Sequence, residues 1–248
     1  MTVDLAPYLS AYGLVFLRVG GAMTMLPGFG ERMVPLRIRL ALSVAFTVVV
    51  APLIQTELVG VPLTPATMAA EAVCGLALGL GLRFLVYALQ MAGDFAAQSI
   101  SLAQVLGSVA LDPQPAMGRL MVVSGLAVAM MTGLHVRVVE IFALSYEILP
   151  PGLLPRSSEL ADWGMKRFAW AFGLAFSLAM PFVVGALLYN MALGIINKAM
   201  PQLMVAFVGA PALMLGGLIL LFLSLPLILG VWQDLFVQTL SNPLSVPA

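Results

Sequence analysis

The stretch LMVAFVGAPALMLGGLILLFLSLPLILGVW, residues 203–232, carries no charged side chain. It is longer than the roughly 20 mostly apolar residues that a helix needs to cross the hydrocarbon core of a bilayer. Apolar and polar residues do not alternate along it, so it does not read as a half-buried strand. A chain in hydrocarbon must also satisfy its backbone groups internally, which leaves helices or closed barrels. The stretch therefore predicts a membrane helix, kinked at Pro211 and Pro226 where a backbone donor is missing.

Further apolar runs precede it, from Leu9 to Leu26, Ile38 to Thr56, Ala66 to Met91, Met117 to Leu149 and Phe168 to Ile196. Between them lie proline- and glycine-rich breaks: Pro27-Gly28-Phe29-Gly30, Pro62 with Pro65, Asp112-Pro113-Gln114-Pro115, Pro150-Pro151-Gly152 and Met200-Pro201-Gln202. These read as loops or sharp turns. Pro181 adds an expected kink in the run before the last. The fold class that follows is all-α, an integral membrane protein of long kinked helices and helical hairpins.

Composition agrees. Hydrophobic residues make up 62% of the chain, charged residues 9%, and the mean hydropathy is +1.08. A soluble domain averages about 45–50% apolar and about 25% charged residues, so a water-facing surface cannot be assembled from this chain. Eleven basic and eleven acidic side chains cancel, and nucleic-acid binding is set aside for want of a basic field. The single cysteine, Cys74, excludes an intramolecular disulfide. The opening MTVDLAPYLS holds Asp4 and no basic cluster, so a removable signal peptide is not expected.

Topology does not reduce to alternating spans. If the loop with Arg32, Arg37 and Arg39 is cytoplasmic, the loop with Arg156, Lys166 and Arg167 falls on the opposite side, against the positive-inside rule. Either one segment does not cross, or helices pack against partner subunits rather than lipid. A boundary near Lys166 sets off the last two long helices as a hairpin.

Ionisable residues within apolar runs cost about 2.5–3.5 kcal/mol each at mid-bilayer unless paired or wetted. Here they are Arg18, Glu71, Arg83, Asp94, Arg137 and Glu140. Glu71 and Arg83 are separated by roughly 18 Å of helix, so each needs a partner from another helix or subunit. Arg137 and Glu140, at i and i+3, can satisfy each other. Structural pairing in a bundle and an ion or proton pathway both remain open. Gly75 and Gly79 repeat a small-x-x-x-small spacing one turn beyond Glu71, which admits close approach by another backbone. Gly20-Gly21, Gly185, Gly194 and Gly216-Gly217 point the same way.

Residues 99–111, SISLAQVLGSVAL, are amphipathic and uncharged. Leu102, Val105, Leu106 and Val109 share one face, with Ser101, Gln104 and Ser108 on another. The segment reads either as the end of a packed helix or as a short mobile element across a pore. Catalytic and metal-binding patterns are missing: there is no phosphate loop, no His-Glu-x-x-His and no Cys-x-x-Cys, and His135 is the one histidine. No catalytic residue, metal or cofactor is expected, and His135 receives no role.

At residues 197–211, NKAMPQLMVAFVGAP, a family pattern emerges: a basic residue, Pro-Gln, a Val-Phe stretch and Gly-x-Pro, carried by Lys198, Pro201, Gln202, Val205, Phe207, Gly209 and Pro211. With it run Arg18, Pro27, Phe29, Gly30, Val34-Pro35, Arg37, Arg39, Glu71, Gly75, Gly79, Gly93, Gln98, Ser101, Asp112-Pro113, Gly133, His135, Ser145, Pro150 and Gly152. The chain resembles, over essentially its whole length, the FliR family of export-gate subunits of type III secretion, flagellar and virulence-associated. It departs at Met204, where that family usually has asparagine, and at Val109, Ala110 and Leu111, where aromatics usually precede Asp-Pro.

The resemblance implies a non-enzymatic, channel-forming subunit of the flagellar protein export gate in the bacterial inner membrane and flagellar basal body. Implied partners are several copies of FliP-like and FliQ-like membrane subunits in a hetero-oligomeric helical channel, FlhB-like and FlhA-like export components, membrane lipid, and unfolded proteins in transit. It also implies a FliP-like part at 1–166, with a plug loop near 99–117, and a FliQ-like hairpin at 167–248. In that reading Ser101, Leu102, Gln104, Val105, Leu106, Gly107, Val109, Leu111, Asp112 and Pro113 form the pore or plug segment. A small-solute secondary transporter is the alternative from another class; it should show paired repeat halves, which are not evident.

Overall fold

The computed structural model describes residues 6–31, 33–58, 60–105, 116–200 and 205–245, and among them every regular element is helical. In chain order these are α1 (Ala6–Met25), α2 (Leu36–Val50), α3 (Gln55–Leu58), α4 (Pro65–Val105), α5 (Ala116–Met131), α6 (Leu134–Ile148), α7 (Ser157–Ala199) and α8 (Val205–Ser241). A single 3₁₀ turn, Ala51–Ile54, joins α2 to α3 at Pro52, which has no N–H to continue the α ladder.

Local chemistry sets several boundaries. Pro35 is extended (φ −58°, ψ 145°), and α2 starts after it. Inside α2 the Ser43 and Thr47 hydroxyls donate back to the carbonyls of Arg39 (2.8 Å) and Ser43 (2.7 Å), so neither is left unsatisfied in an apolar setting. Helix α4 opens with reciprocal capping. The Thr67 N–H donates to Thr64 Oγ1, the Thr64 N–H donates to Thr67 Oγ1, and Pro65 fills the first helical position.

Two boundaries differ from the sequence-based expectation. The run from Met117 to Leu149 is not one helix. It breaks at Thr132-Gly133, where Gly133 sits in the left-handed region at φ 85°. The region of Arg156, Lys166 and Arg167 is not a loop, because α7 begins at Ser157 and contains both Lys166 and Arg167. Glu159 in the first turn complements the helix dipole. The Asp162 and Lys166 side chains meet at 2.7 Å at i,i+4, which supports the extra turns.

The chain divides into two compact units whose segments alternate along the sequence. One comprises Met1–Leu85, Ala129–Ala169 and Leu235–Ala248, the other Val86–Val128 and Trp170–Asp234. In the first, Ala22 of α1 and Leu26 just beyond it, Leu78 and Leu82 of α4, and Val138, Ile141 and Phe142 of α6 meet around a common point. In the second, Trp232 is fully buried and Phe95 makes edge-to-face contacts with Phe172 and Phe176, at 5.8 and 6.4 Å between ring centroids.

The buried face of α7 is mostly alanine, with Phe182 as the exception beyond Arg167, and large apolar residues point outward. Ala171, Ala175, Ala179 and Ala186 are buried, whereas Phe172, Phe176, Met180, Val184 and Leu187 are exposed. Water would penalise that arrangement, while an apolar surround permits it and rewards close backbone packing. Four helical stretches, at Leu36–Leu58, Pro65–Ile100, Ser157–Ala199 and Pro211–Ser241, are long and apolar enough to cross a membrane. Pro65–Ile100 is the most buried of these, at 67% against 22–28% for the others.

Candidate functional site

The first unit is organised around a buried ion pair. Arg18 of α1 and Glu71 of α4 have no solvent-exposed side-chain surface. Arg18 Nε donates to Glu71 Oε2 at 2.6 Å, and Nη2 donates to Oε1 at 3.2 Å. The remaining bonds fix the surroundings. Nη1 donates to Ser145 Oγ (3.2 Å) and Nη2 to the Leu149 carbonyl (3.0 Å), which ties in the end of α6. The Gly152 N–H donates to Glu71 Oε1 at 2.8 Å; Gly152 has φ 75°, a conformation that costs glycine little. The Tyr146 ring lies 3.7 Å from Arg18 Cζ, over the guanidinium face.

Backbone approach makes the pair possible. A Cβ added at Gly21 would stand 2.7 Å from the Ala72 carbonyl oxygen, one at Gly79 would stand 2.5 Å from that of Ala22, and one at Gly75 would overlap the carbonyl of Arg18. Glycine is required there because α1 and α4 touch backbone to backbone. The spacing of Gly75 and Gly79 anticipated a close neighbour; the structure identifies it as α1.

Arg83, three turns further along α4, grips Glu31 with two bonds, Nη1 to Oε1 at 2.5 Å and Nη2 to Oε2 at 3.2 Å. Arg39 donates to the carbonyls of Val34 (3.2 Å) and Glu31 (2.9 Å). Together they clamp the segment between α1 and α2. Arg167 is fully buried and its Nη1 donates to the Ser245 carbonyl.

In the second unit Gly93 of α4 and Gly118 of α5 lie back to back, so close that neither tolerates a Cβ without movement. Asp94 is half-buried; its Oδ1 faces Gly118 and accepts no hydrogen bond. The Tyr189 hydroxyl of α7 donates to the Gly209 carbonyl of α8 at 2.9 Å, joining the two helices where they turn.

The residues singled out from sequence are distributed as follows. Arg18 and Glu71 pair with each other, and Arg83 pairs with Glu31. Arg137 and Glu140 are both exposed on this chain and form no ion pair among the described residues; i,i+3 spacing allows a bond without enforcing it. Ser101, Leu102, Gln104 and Val105 belong to the last turns of α4, whereas Leu106, Gly107, Val109, Leu111, Asp112 and Pro113 lie outside the described residues. In the family-motif loop, Lys198 is exposed near the end of α7, Val205 and Phe207 open α8, Gly209 is buried and Pro211 is exposed. Pro201 and Gln202 lie outside the described residues, as do Arg32, Val109–Leu111 and Met204. Sequence reasoning did not find Glu31, Tyr146 or the buried Arg167. Among the described residues no group of three or more His, Cys, Asp and Glu side chains converges as a metal site would need.

Fold and site together define an all-α integral membrane protein whose ionisable side chains bind helices to one another. Comparison with known proteins narrows this. The family model for bacterial export proteins, family 1, matches residues 9–239. The flagellar biosynthetic protein FliR of Caulobacter vibrioides is 31% identical over 233 residues, covering 92% of this chain and 93% of that one. Those of Escherichia coli (27%; 93% and 90%) and Aquifex aeolicus (29%; 93% and 95%) are similar over comparable spans. The chain belongs to the bacterial export proteins, family 1, the family of the FliR proteins.

Proposed function

We propose that this chain is a channel-forming subunit of a flagellar type III protein export gate in the bacterial inner membrane, needed for moving flagellar proteins outward and so for building the flagellum. It acts as conduit rather than catalyst. Its partners are FliP-like and FliQ-like membrane subunits in several copies, with FlhB-like and FlhA-like components adjoining. Residues 1–166 supply a FliP-like part, residues 167–248 a FliQ-like hairpin, and 99–117 the plug.

The observation that carries the assembly is the length of one apolar face. On α7 large apolar side chains are exposed from Phe172 to Ile196. That is roughly 36 Å of helix at 1.5 Å per residue. A hydrocarbon core is about 30 Å thick, and an average tilt of about 20° shortens the face only to about 34 Å. Lipid alone cannot cover it, and partner subunits cover the excess. The match to flagellar export proteins along nearly the whole chain supports naming those subunits.

The test is purification in mild detergent together with deletion of the gene. A gate subunit brings down several copies of two other small helical membrane proteins, and the deletion strain neither swims nor secretes flagellar components until the gene is restored. Recovery of the purified chain as a lone monomer, together with a deletion strain that still swims and secretes, overturns the proposal.

A further inference from the structure

The hairpin of α7 and α8 encloses a cavity of about 320 Å³. Its mouth is formed by Gly185 of α7 and by Ala212 and Gly216 of α8, all exposed and without side chains long enough to close it. Phe182 and Leu213 form its floor, and Ile100 at the end of α4 packs directly against Gly217 to seal the inner wall. From Phe182 to Tyr189 the wall runs about 10 Å along the helix axis, so the space is a slot parallel to the helices.

Water is a poor occupant, because a buried water needs two to four polar partners. Among the described lining residues the one side-chain hydroxyl, that of Tyr189, already donates to the Gly209 carbonyl. An apolar void of this size left empty would be strongly destabilising. Gly185 also lies near the middle of the exposed apolar face of α7 that runs from Phe172 to Ile196. At that depth a bilayer presents the ends of its acyl chains and no headgroups. A slender, flexible chain lying along the helices suits an elongated slot better than a compact aromatic side chain inserted from a neighbour.

We propose that the slot between α7 and α8 is a lateral binding site for one acyl chain of a membrane phospholipid. The chain enters sideways through the gap at Gly185, Ala212 and Gly216 and takes the place of the missing side chains between the two helices.

The experiment uses the protein purified with its membrane partners and placed in nanodiscs containing a phosphatidylcholine that bears a diazirine at the end of one acyl chain. After irradiation, mass spectrometry maps the labelled peptides. Labelling at Leu213 and Tyr189 should exceed that at the outward-facing Phe222 and Leu223 several-fold. The double variant Gly185→Leu with Gly216→Leu fills the mouth. A Cβ at 216 meets nothing within 4 Å, and one at 185 meets Leu220 Cδ2 at an ordinary 3.8 Å, so neither substitution clashes at its Cβ. Slot labelling should fall about tenfold in this variant, with labelling at Phe222 unchanged. Slot labelling no higher than at Phe222 in the unaltered protein, as when a neighbour's side chain fills the slot, overturns the proposal. So does slot labelling that survives filling of the mouth. If the variant fails to assemble, the comparison within the unaltered protein still decides.

Discussion

The carbonyl of Arg18 rests directly on the Cα face of Gly75, so α1 and α4 are held at backbone contact beside the bond between the Arg18 and Glu71 side chains. Close approach and ion pair are thus one feature. The guanidinium reaches Glu71 at 2.6 Å because nothing larger than hydrogen separates the helices four residues further on.

Substituting Gly75 by alanine should therefore push the helices apart and strain the ion pair. Overpacking of a closed contact costs about 1–3 kcal/mol. The adjacent glycines Gly20 and Gly21 provide a control of opposite sign. A Cβ at Gly21 collides with the Ala72 carbonyl, whereas one at Gly20 meets nothing within 4 Å. Gly21→Ala should lower the thermal unfolding midpoint in detergent, and Gly20→Ala should raise it slightly, since alanine in a helix gains about 0.5–1 kcal/mol over glycine. Equal effects at both positions would contradict the packing described.

The Arg18 and Glu71 pair is fully buried, and removing one member of such a pair strands the other charge at a cost of about 3–5 kcal/mol. Glu71→Ala and Arg18→Met should each reduce the amount of folded protein recovered from membranes. The double variant Arg18→Met with Glu71→Leu should recover a large part of the loss, because no charge is then left uncompensated. Additive losses in this cycle would mean that the two side chains are not coupled.

Glu31 and Arg83 give a partly exposed counterpart. Their side chains are 25% and 16% exposed, so the pair is screened by salt to a degree that the buried one is not. Glu31→Gln should cost on the order of 1 kcal/mol at low ionic strength, and the difference from the unaltered protein should shrink in 1 M salt, where the screening length is about 3 Å. The destabilisation caused by Glu71→Ala should be indifferent to salt. Melting curves at two salt concentrations separate the cases.

Much of this was legible in the sequence because it is local. Apolar run length fixed the helical class, the twelve-residue gap between Glu71 and Arg83 required separate partners, and the Gly75 and Gly79 spacing marked a contact face. Identities across the fold were not legible. That Arg18 answers Glu71, or that Glu31 answers Arg83, depends on how separated segments pack, and no periodicity encodes it. Residues Arg18, Glu71, Ser145 and Gly152, each noted separately as part of the family resemblance, converge on one site only in three dimensions. The early start of α7 had a readable signal in Glu159 and the Asp162 and Lys166 spacing, but the apolar run used to place the helix begins only at Phe168. Arg137 and Glu140 show the converse, a spacing that permits a bond which exposure to solvent makes unnecessary.

The plug reading of residues 99–117 yields the prediction closest to function. Residues 101–111 hold no charged side chain, so an ion approaching them meets no opposite charge, and a mostly apolar constriction blocks conduction by excluding water. Gly107 and the Asp112-Pro113 pair supply turn-forming chemistry on which such a segment can move aside. Deleting 101–111 from the purified complex should leave the helices from Ala116 onward in place and open a steady ion conductance in planar bilayers, against a closed baseline for the unaltered complex. A charged substitution such as Val109→Lys should produce an intermediate leak by drawing water into the constriction. Unchanged conductance after the deletion, in a complex that still elutes at its full size, would remove the plug assignment and leave the reading of the segment as the end of a packed helix.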